Sequence, residues 1–299
     1  MKRIVCIGNV VLDQVYEVPS LPRAGMKTVA DAYREGGGGP ASTAAIAIAM
    51  LGGKASWWGR VGQDWAGDVL LAALARFGVD TSGAARIAGK RTIRAVVMVD
   101  PAGERSIVTP RPELPRDASL VPADDLSDAA VLLADPRWPE GAEVALERAR
   151  ACGLPRVLDA DGGGAETLQR LARLSDHIVF SEQGIAELVG PGDPAAQLAR
   201  AAERLSDVLA VTQGDCGSTW LLDGSLHHVP AFRVAVRDTT GCGDVFHGAY
   251  ALGIAEGMHP LEAARFASAA AAAKARNGRG WDGMPDRHTI DTMLQETAR

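Results

Sequence analysis

Short apolar runs recur along the chain at residues 4–7, 131–134, 157–158, 178–180 and 208–211. Runs of this kind, apolar at successive positions, suit strands buried on both faces, as in a parallel sheet. Between them the spacing becomes helical. Asp64 is placed to cap a segment in which Val69, Leu70, Ala73, Leu74 and Phe77 share one face before Gly78 stops it. Similar patterns cover 140–151, 165–174, 194–205, 242–256 and 260–276, the last holding an alanine run at 269–273 that reads as a tightly packed helix. Strand alternating with helix predicts an α/β fold, a mostly parallel sheet covered by helices on both faces.

Two regions break this rhythm. Residues 92–99 and 105–109 flank Asp100-Pro101-Ala102-Gly103-Glu104 like the arms of a hairpin, and 14–18 with 28–33 form another strand-rich pair. They predict a small β-sheet beside the main body, contributed by about residues 12–34 and 90–110. No Gly/Ser or Pro linker, internal repeat or low-complexity tract divides the 299 residues, so one domain over 1–299 is expected.

Charge and composition then exclude several function classes. With 31 Lys+Arg against 37 Asp+Glu the formal charge is −6, and no global basic field exists to hold a nucleic acid or an anionic membrane. The longest strongly apolar stretch, 44–51, falls far short of the roughly 18 residues of a membrane span. Lys2 and Arg3 look like a signal n-region, but Asn9 and Asp13 interrupt the apolar segment that follows, so a cytoplasmic location is expected. Cys6, Cys152, Cys216 and Cys242 are scattered, without Cys-x-x-Cys or zinc-site spacing. His227-His228, just before Pro230, reads as a surface pair in a loop or strand end.

The strongest chemical motif is Asp238-Thr239-Thr240-Gly241-Cys242-Gly243-Asp244, followed by an apolar helix. A glycine-interrupted turn opening a helix leaves backbone N–H groups unpaired, and with the helix dipole these form an anion site. A carboxylate beside such a site is electrostatically unfavourable unless it serves chemistry, and proton abstraction from an attacking hydroxyl is such a service for Asp244. Alternatively, Asp244 only favours the helix start and the glycines only turn the chain. A second block, Gly36-Gly37-Gly38-Gly39-Pro40-Ala41-Ser42-Thr43-Ala44, lets a ligand lie against main chain at another helix start. It also matches the dinucleotide fingerprint, but no acidic residue occurs from Gly36 to Gln63 to hold a ribose. No P-loop pattern is present.

With these motifs in place the chain resembles the ribokinase-like (PfkB-type) carbohydrate kinases over nearly its whole length. The resemblance rests on Asp13 after Gly8-Asn9, the glycine block, Gly59-Arg60-Val61-Gly62-x-Asp64-x-x-Gly67, Val211-Thr212-x-Gly214-x-x-Gly217 and the 238–244 motif. It implies a three-layer α/β/α sandwich with a β-sheet lid, dimerisation through that lid, and ATP-dependent phosphoryl transfer to a sugar hydroxyl. Asp244 is then the general base, with the backbone of Gly241, Cys242 and Gly243 as the anion hole. Asp13, Gly38, Gly39 and Thr43 hold the sugar, and Thr212, Gly214, Gly217, Ser181 and Asn277 the nucleotide. Mg²⁺ arrives with ATP, and the scheme leaves room for a monovalent cation. Where many members read Asn-x-x-Glu this chain has Ser181-Glu182-Gln183-Gly184. Glu182 takes the magnesium role there, or is only a helix-start charge.

Within the family the chain is similar to the sulfofructose kinases of sulfoquinovose breakdown. The likeness is carried by Leu133-Ala134-Asp135-x-Arg137-Trp138, Val157-Leu158-Asp159-x-Asp161 and Phe180-Ser181-Glu182-x-Gly184, besides the motifs above. The implied reaction is phosphorylation of 6-deoxy-6-sulfofructose at its 1-hydroxyl. Lys27, in the expected lid, and Arg137, at a strand's carboxyl end, are the cations available to a sulfonate, and Thr109 adds a hydroxyl. Alternatives are a fructose-type or other ketose kinase, a non-catalytic sugar-binding protein and a nicotinamide-dependent oxidoreductase.

Overall fold

A computed structural model describes residues 3–101, 104–123, 126–205 and 208–296. From β1 (Arg3–Ile7) the chain passes at once into β2 (Val11–Glu17) and β3 (Ala32–Gly38), which belong to a separate small sheet. Helix α1 (Pro40–Met50), β4 (Lys54–Gly62), α2 (Trp65–Arg76) and β5 (Ala84–Ile87) return it to the main sheet, and β6 (Arg94–Val99) with β7 (Arg105–Val108) complete the small one. Alternation follows through β8 (Ala129–Ala134), α3 (Pro139–Ala151), β9 (Arg156–Ala160), α4 (Ala165–Ala172) and β10 (His177–Ser181). It continues through α5 (Glu182–Val189), α6 (Pro194–Ala202) and β11 (Val208–Thr212). A hairpin of β12 (Ser218–Leu222) and β13 (Ser225–Val229) precedes α7 (Cys242–Ala255), α8 (Pro260–Asn277) and α9 (Arg287–Glu296).

The main sheet runs β13-β12-β11-β10-β9-β8-β1-β4-β5, parallel from β11 to β5, with the final hairpin antiparallel. Its strands are apolar on both faces because each face meets helices. Ile4 and Cys6 point into a core shared with α1, α7 and α8, while Val5 and Ile7 point into one shared with α3 and α4. The three-layer α/β/α arrangement follows. Helix α7 is buried almost all round and packs close to α1, where a Cβ on Gly248 would strike the Ala44 backbone.

The small sheet has the order β3-β2-β6-β7, with β2 and β6 parallel and the outer pairs antiparallel. Its second strand differs from expectation: 28–31 lie outside regular strand, and β3 begins at Ala32 and runs through Gly36, Gly37 and Gly38. Glycine normally disfavours strands, but Gly37 and Gly38 admit no side chain, whereas Gly36 faces open space. A Cβ on Gly37 would fall inside the Trp281 ring, and one on Gly38 inside the Asp13 carboxyl group. Of the two places expected for His227 and His228, the strand end is the one observed, in the last three residues of β13. Of the expected 100–104 turn, Ala102 and Gly103 lie outside the described residues, as does Lys2. Among the described residues no helix is long and apolar enough to cross a membrane.

Candidate active site

The 238–244 motif forms a tight turn leading into α7. The Asp238 carboxylate accepts the Thr240 amide at 2.8 Å, and Gly241, at φ 74°, takes the left-handed conformation that starts the helix. The Cys242 amide folds back to the Thr239 carbonyl at 3.2 Å, whereas among the described residues the Gly241, Gly243 and Asp244 amides have no protein acceptor. Those three amides, at the positive end of the α7 dipole, make the anion site. Burial pushes the Cys242 thiol up to about 11, so the side chain stays neutral. Burial first, and the nearby Asp159 carboxylate second, raise Asp244 to about 7, with His247 acting in the opposite direction. His247 anchors this corner: Nδ1 lies 2.7 Å from the Gly243 carbonyl and 3.4 Å from Asp159 Oδ2, and Nε2 lies 3.2 Å from the Val179 carbonyl.

The glycine block and β2 build the facing wall. Gly36, Gly37 and Gly38 pair with Asp13, Leu12 and Val11, so the Asp13 carboxylate lies over Gly38. Desolvation lifts Asp13 to about 6, and the Arg34 charge opposes part of that rise. Gly39, at φ 102°, turns the chain into α1. The Ala41 amide is not offered to a ligand: Asp135 Oδ2 accepts it, together with the Asn9 amide, each at 3.0 Å. Asp135 is therefore a buried clasp holding β1, α1 and the carboxyl end of β8 in register. Thr43 lies beside Gly241 and accepts the Trp281 indole N–H at 3.0 Å.

Between these walls lies a cleft of about 1530 Å³, larger than a typical single-ligand pocket and sufficient for two substrates side by side. It brings together Asp13, Gly38, Gly39, Thr43, Gly241, Asp244 and Asn277 of the expected residues. Ser181 and Thr212 stand in register at the carboxyl ends of β10 and β11. Ser181 caps α5 by accepting the Gly184 amide, and Glu182 is exposed at the first residue of that helix. Gly214 and Gly217, both at positive φ, shape the turn after β11. Lys27 is exposed in the loop before β3, and Thr109 is exposed just past β7, neither lining the cleft. Arg137 also lies outside its lining, donating to the Asp161 carbonyl at 2.8 Å.

The structure supplies instead cations that the sequence did not single out. Arg34 and Arg105 line the cleft, and Arg105 reaches from the small sheet to Thr240 Oγ1 at 2.7 Å and Thr239 Oγ1 at 2.5 Å. Nothing local in the sequence marks that bridge, whose ends are 135 residues apart in the chain.

Residues 1–287 match the family model of pfkB family carbohydrate kinases. A Klebsiella pneumoniae fructokinase is 32% identical over 236 residues, covering 73% of this chain and 76% of that protein. A crystal structure of an Agrobacterium tumefaciens protein superposes with a TM-score of 0.92 at 36% identity, covering 100% of this chain and 99% of the other. The structure of a Xylella fastidiosa fructokinase with bound ATP gives 0.84 at 25% identity, with 99% of each chain covered. A small sheet leaning over an anion-binding helix start, a carboxylate within that start and this match along almost the whole sequence lead to one assignment: the chain belongs to the pfkB family of carbohydrate kinases and is an ATP-dependent sugar kinase.

Proposed function

We propose that the protein phosphorylates a ketose at its 1-hydroxyl, that the ketose is 6-deoxy-6-sulfofructose, and that Asp244 is the base. The observation that carries the base assignment is Asp244 itself, raised to about 7 beside amides without acceptors and lining the same cleft as Asp13. A base poised near the working pH takes a hydroxyl proton most effectively. The proton passes to Asp244, the sugar oxygen bonds to the γ-phosphorus, and the bond to the departing ADP oxygen breaks. Asp13 with the Gly38–Gly39 backbone orients the sugar, and the Gly241, Gly243 and Asp244 amides neutralise the transferring group.

Thr212, Gly214, Gly217 and Ser181, at the ends of β10 and β11 and outside the lining of the cleft, form the proposed nucleotide wall, and Asn277, within that lining, is proposed to contact the nucleotide as well. No group of three or more His, Cys, Asp or Glu among the described residues is arranged for a metal. Mg²⁺ commonly needs few protein ligands beside phosphate oxygens and water, and the exposed Glu182 at the start of α5 is the carboxylate proposed to hold it. Mg²⁺ would neutralise phosphate charge there. The cellular place proposed is the cytoplasm. The small sheet presents apolar side chains on both edge strands, Tyr33 on β3 and Ile107 and Val108 on β7, which supports a homodimer formed through this lid.

The substrate reading rests on the sulfofructose-kinase-like motifs together with Arg137, bonded through its backbone to Asp135. The Arg137 amide donates to the Asp135 carboxylate at 2.7 Å, and the same carboxylate accepts the Ala41 amide just past Gly39, which ties the Arg137 backbone to the glycine block. A second reading, a fructose kinase without sulfonate preference, is favoured by the fructokinase relative and by Lys27 and Thr109 standing away from the cleft lining. Incubation with ATP, Mg²⁺ and a panel of sulfofructose, fructose, fructose 6-phosphate and ribose, with ADP release recorded, decides between them. The sulfofructose reading expects the highest kcat/KM on that sugar and a loss of roughly 10- to 100-fold on it alone in Arg137→Met, the worth of a charged hydrogen bond. A wild-type preference for fructose would remove it.

A further inference from the structure

Lys274, in the last turn of α8, is 1% exposed. Its ammonium donates to the Thr240 carbonyl at 3.1 Å and to the Gly278 carbonyl at 3.4 Å. The same helix end holds the turn by a second route, because the Ala275 carbonyl accepts the Arg237 and Asp238 amides at 2.9 and 3.2 Å. A buried ammonium is costly unless it is paired, and lysine is rarely enclosed so fully. Here the nearby charges are Asp238, Cys242 and Asp244 on the favourable side, if ionised, and Arg34 on the other; desolvation outweighs them and lowers the Lys274 pKa. Two carbonyl oxygens at hydrogen-bond distance compensate the buried amine, and both belong to the segments around the turn.

This bonding gives the side chain a use. The Thr240 carbonyl and the Gly241 amide are two ends of one peptide unit, and a cation on the oxygen draws electron density from the nitrogen and strengthens its N–H as a donor. The Gly241 amide is one of the three without a protein acceptor. We propose that Lys274 is a positioning residue acting as a tethered internal cation: it fixes the 238–241 turn and polarises the Thr240–Gly241 peptide toward the transferring phosphoryl group, so that the enzyme needs no added monovalent cation. The inference rests on the kinase reading for its catalytic consequence. The structural part, a charge built into the turn, stands apart from it.

The test uses Lys274→Ala, which removes charge and donor and opens the space they filled, and Lys274→Ser, which opens the same space and leaves a small neutral hydroxyl. Each is assayed with ATP and Mg²⁺ in sodium, potassium and ammonium buffers, and thermal unfolding of the ligand-free proteins is followed in the same salts. In the unaltered protein the choice of monovalent ion leaves kcat and Tm unchanged. Both variants lose at least about tenfold in kcat, the lower range for weakening an oxyanion-type donor, with less change in KM for ATP. Potassium or ammonium restores part of kcat and raises their Tm, because a free cation then enters the vacated place. A folded variant with unchanged kcat, an unaltered enzyme that itself requires potassium, or variants that neither ion restores would each overturn the proposal. If the unaltered chain forms no ADP with any sugar, the kinase reading fails, and the salt-dependent Tm of the variants still decides whether Lys274 is a replaceable cation.

Discussion

At Asp244, two carboxylates and little water share one corner, and the consequence is a pH dependence with a defined sign. With the pKa raised to about 7, the basic form grows as pH rises, so kcat is expected to climb through that region and level off above it. Asp159→Asn removes the second cause of the shift, and the midpoint of the pH profile is expected to move downward; an unmoved midpoint means that Asp159 does not act on the base. Asp244→Asn is expected to lower kcat by about 10²–10⁴-fold with nucleotide binding retained. The same variant should be more stable at pH 8 than the parent. The folded state holds the Asp244 proton more tightly than the unfolded chain does, so this group's contribution to stability is present at low pH and is lost as pH rises through about 7. Circular dichroism melts of both proteins at pH 3.5, 5 and 8 check this: the difference should open above about pH 4, be partial at pH 5 and be complete at pH 8. Asp244 and the glycines were legible in the sequence because a turn, a helix start and a carboxylate lie within seven residues. Trp281 and Arg105 were not, since their partners are 238 and 135 residues away and no local pattern encodes such pairs.

The glycine-bearing half of β3 shows the same division between elements. Helices carried their own signals, such as Asp64 accepting the Gly67 amide at 2.9 Å before α2, and Pro260 opening α8 after a His259 cap. The parallel strands were legible from uninterrupted apolar runs. Strand β3 was not, because Gly37 and Gly38 answer to an indole and a carboxylate supplied by other segments, a condition that propensity does not express. A methyl group makes the condition measurable. Gly38→Ala must displace the Asp13 carboxylate, and kcat/KM for the sugar is expected to fall by roughly 10- to 100-fold, the cost of a misplaced orienting group, while KM for ATP stays unmoved. Equal effects on both substrates would place the damage in the fold of the sheet instead.

For the molecule as a whole, the fold class was open to inspection in the sequence because strand–helix alternation leaves few topologies, whereas assembly depends on the two edges of the small sheet. Tyr33 is 51% exposed and Ile107 and Val108 are each 59% exposed, a poor state for edge-strand apolar residues facing water. Light scattering at micromolar concentration is expected to give a dimer mass, and Tyr33→Glu with Ile107→Glu to shift it toward the monomer; a monomeric parent with full activity removes the lid dimer. The Trp281 indole, packed over Gly37 and bonded to Thr43, carries a different implication. The floor of the cleft is made by residues 37–43 and covered by residue 281, so a ribosome must release the chain through that tryptophan before the cleft is complete. Domains assembled from the N-terminus during synthesis can often begin work early. This one is barred from doing so, and no nascent fragment ending before residue 281 can hold a finished sugar site.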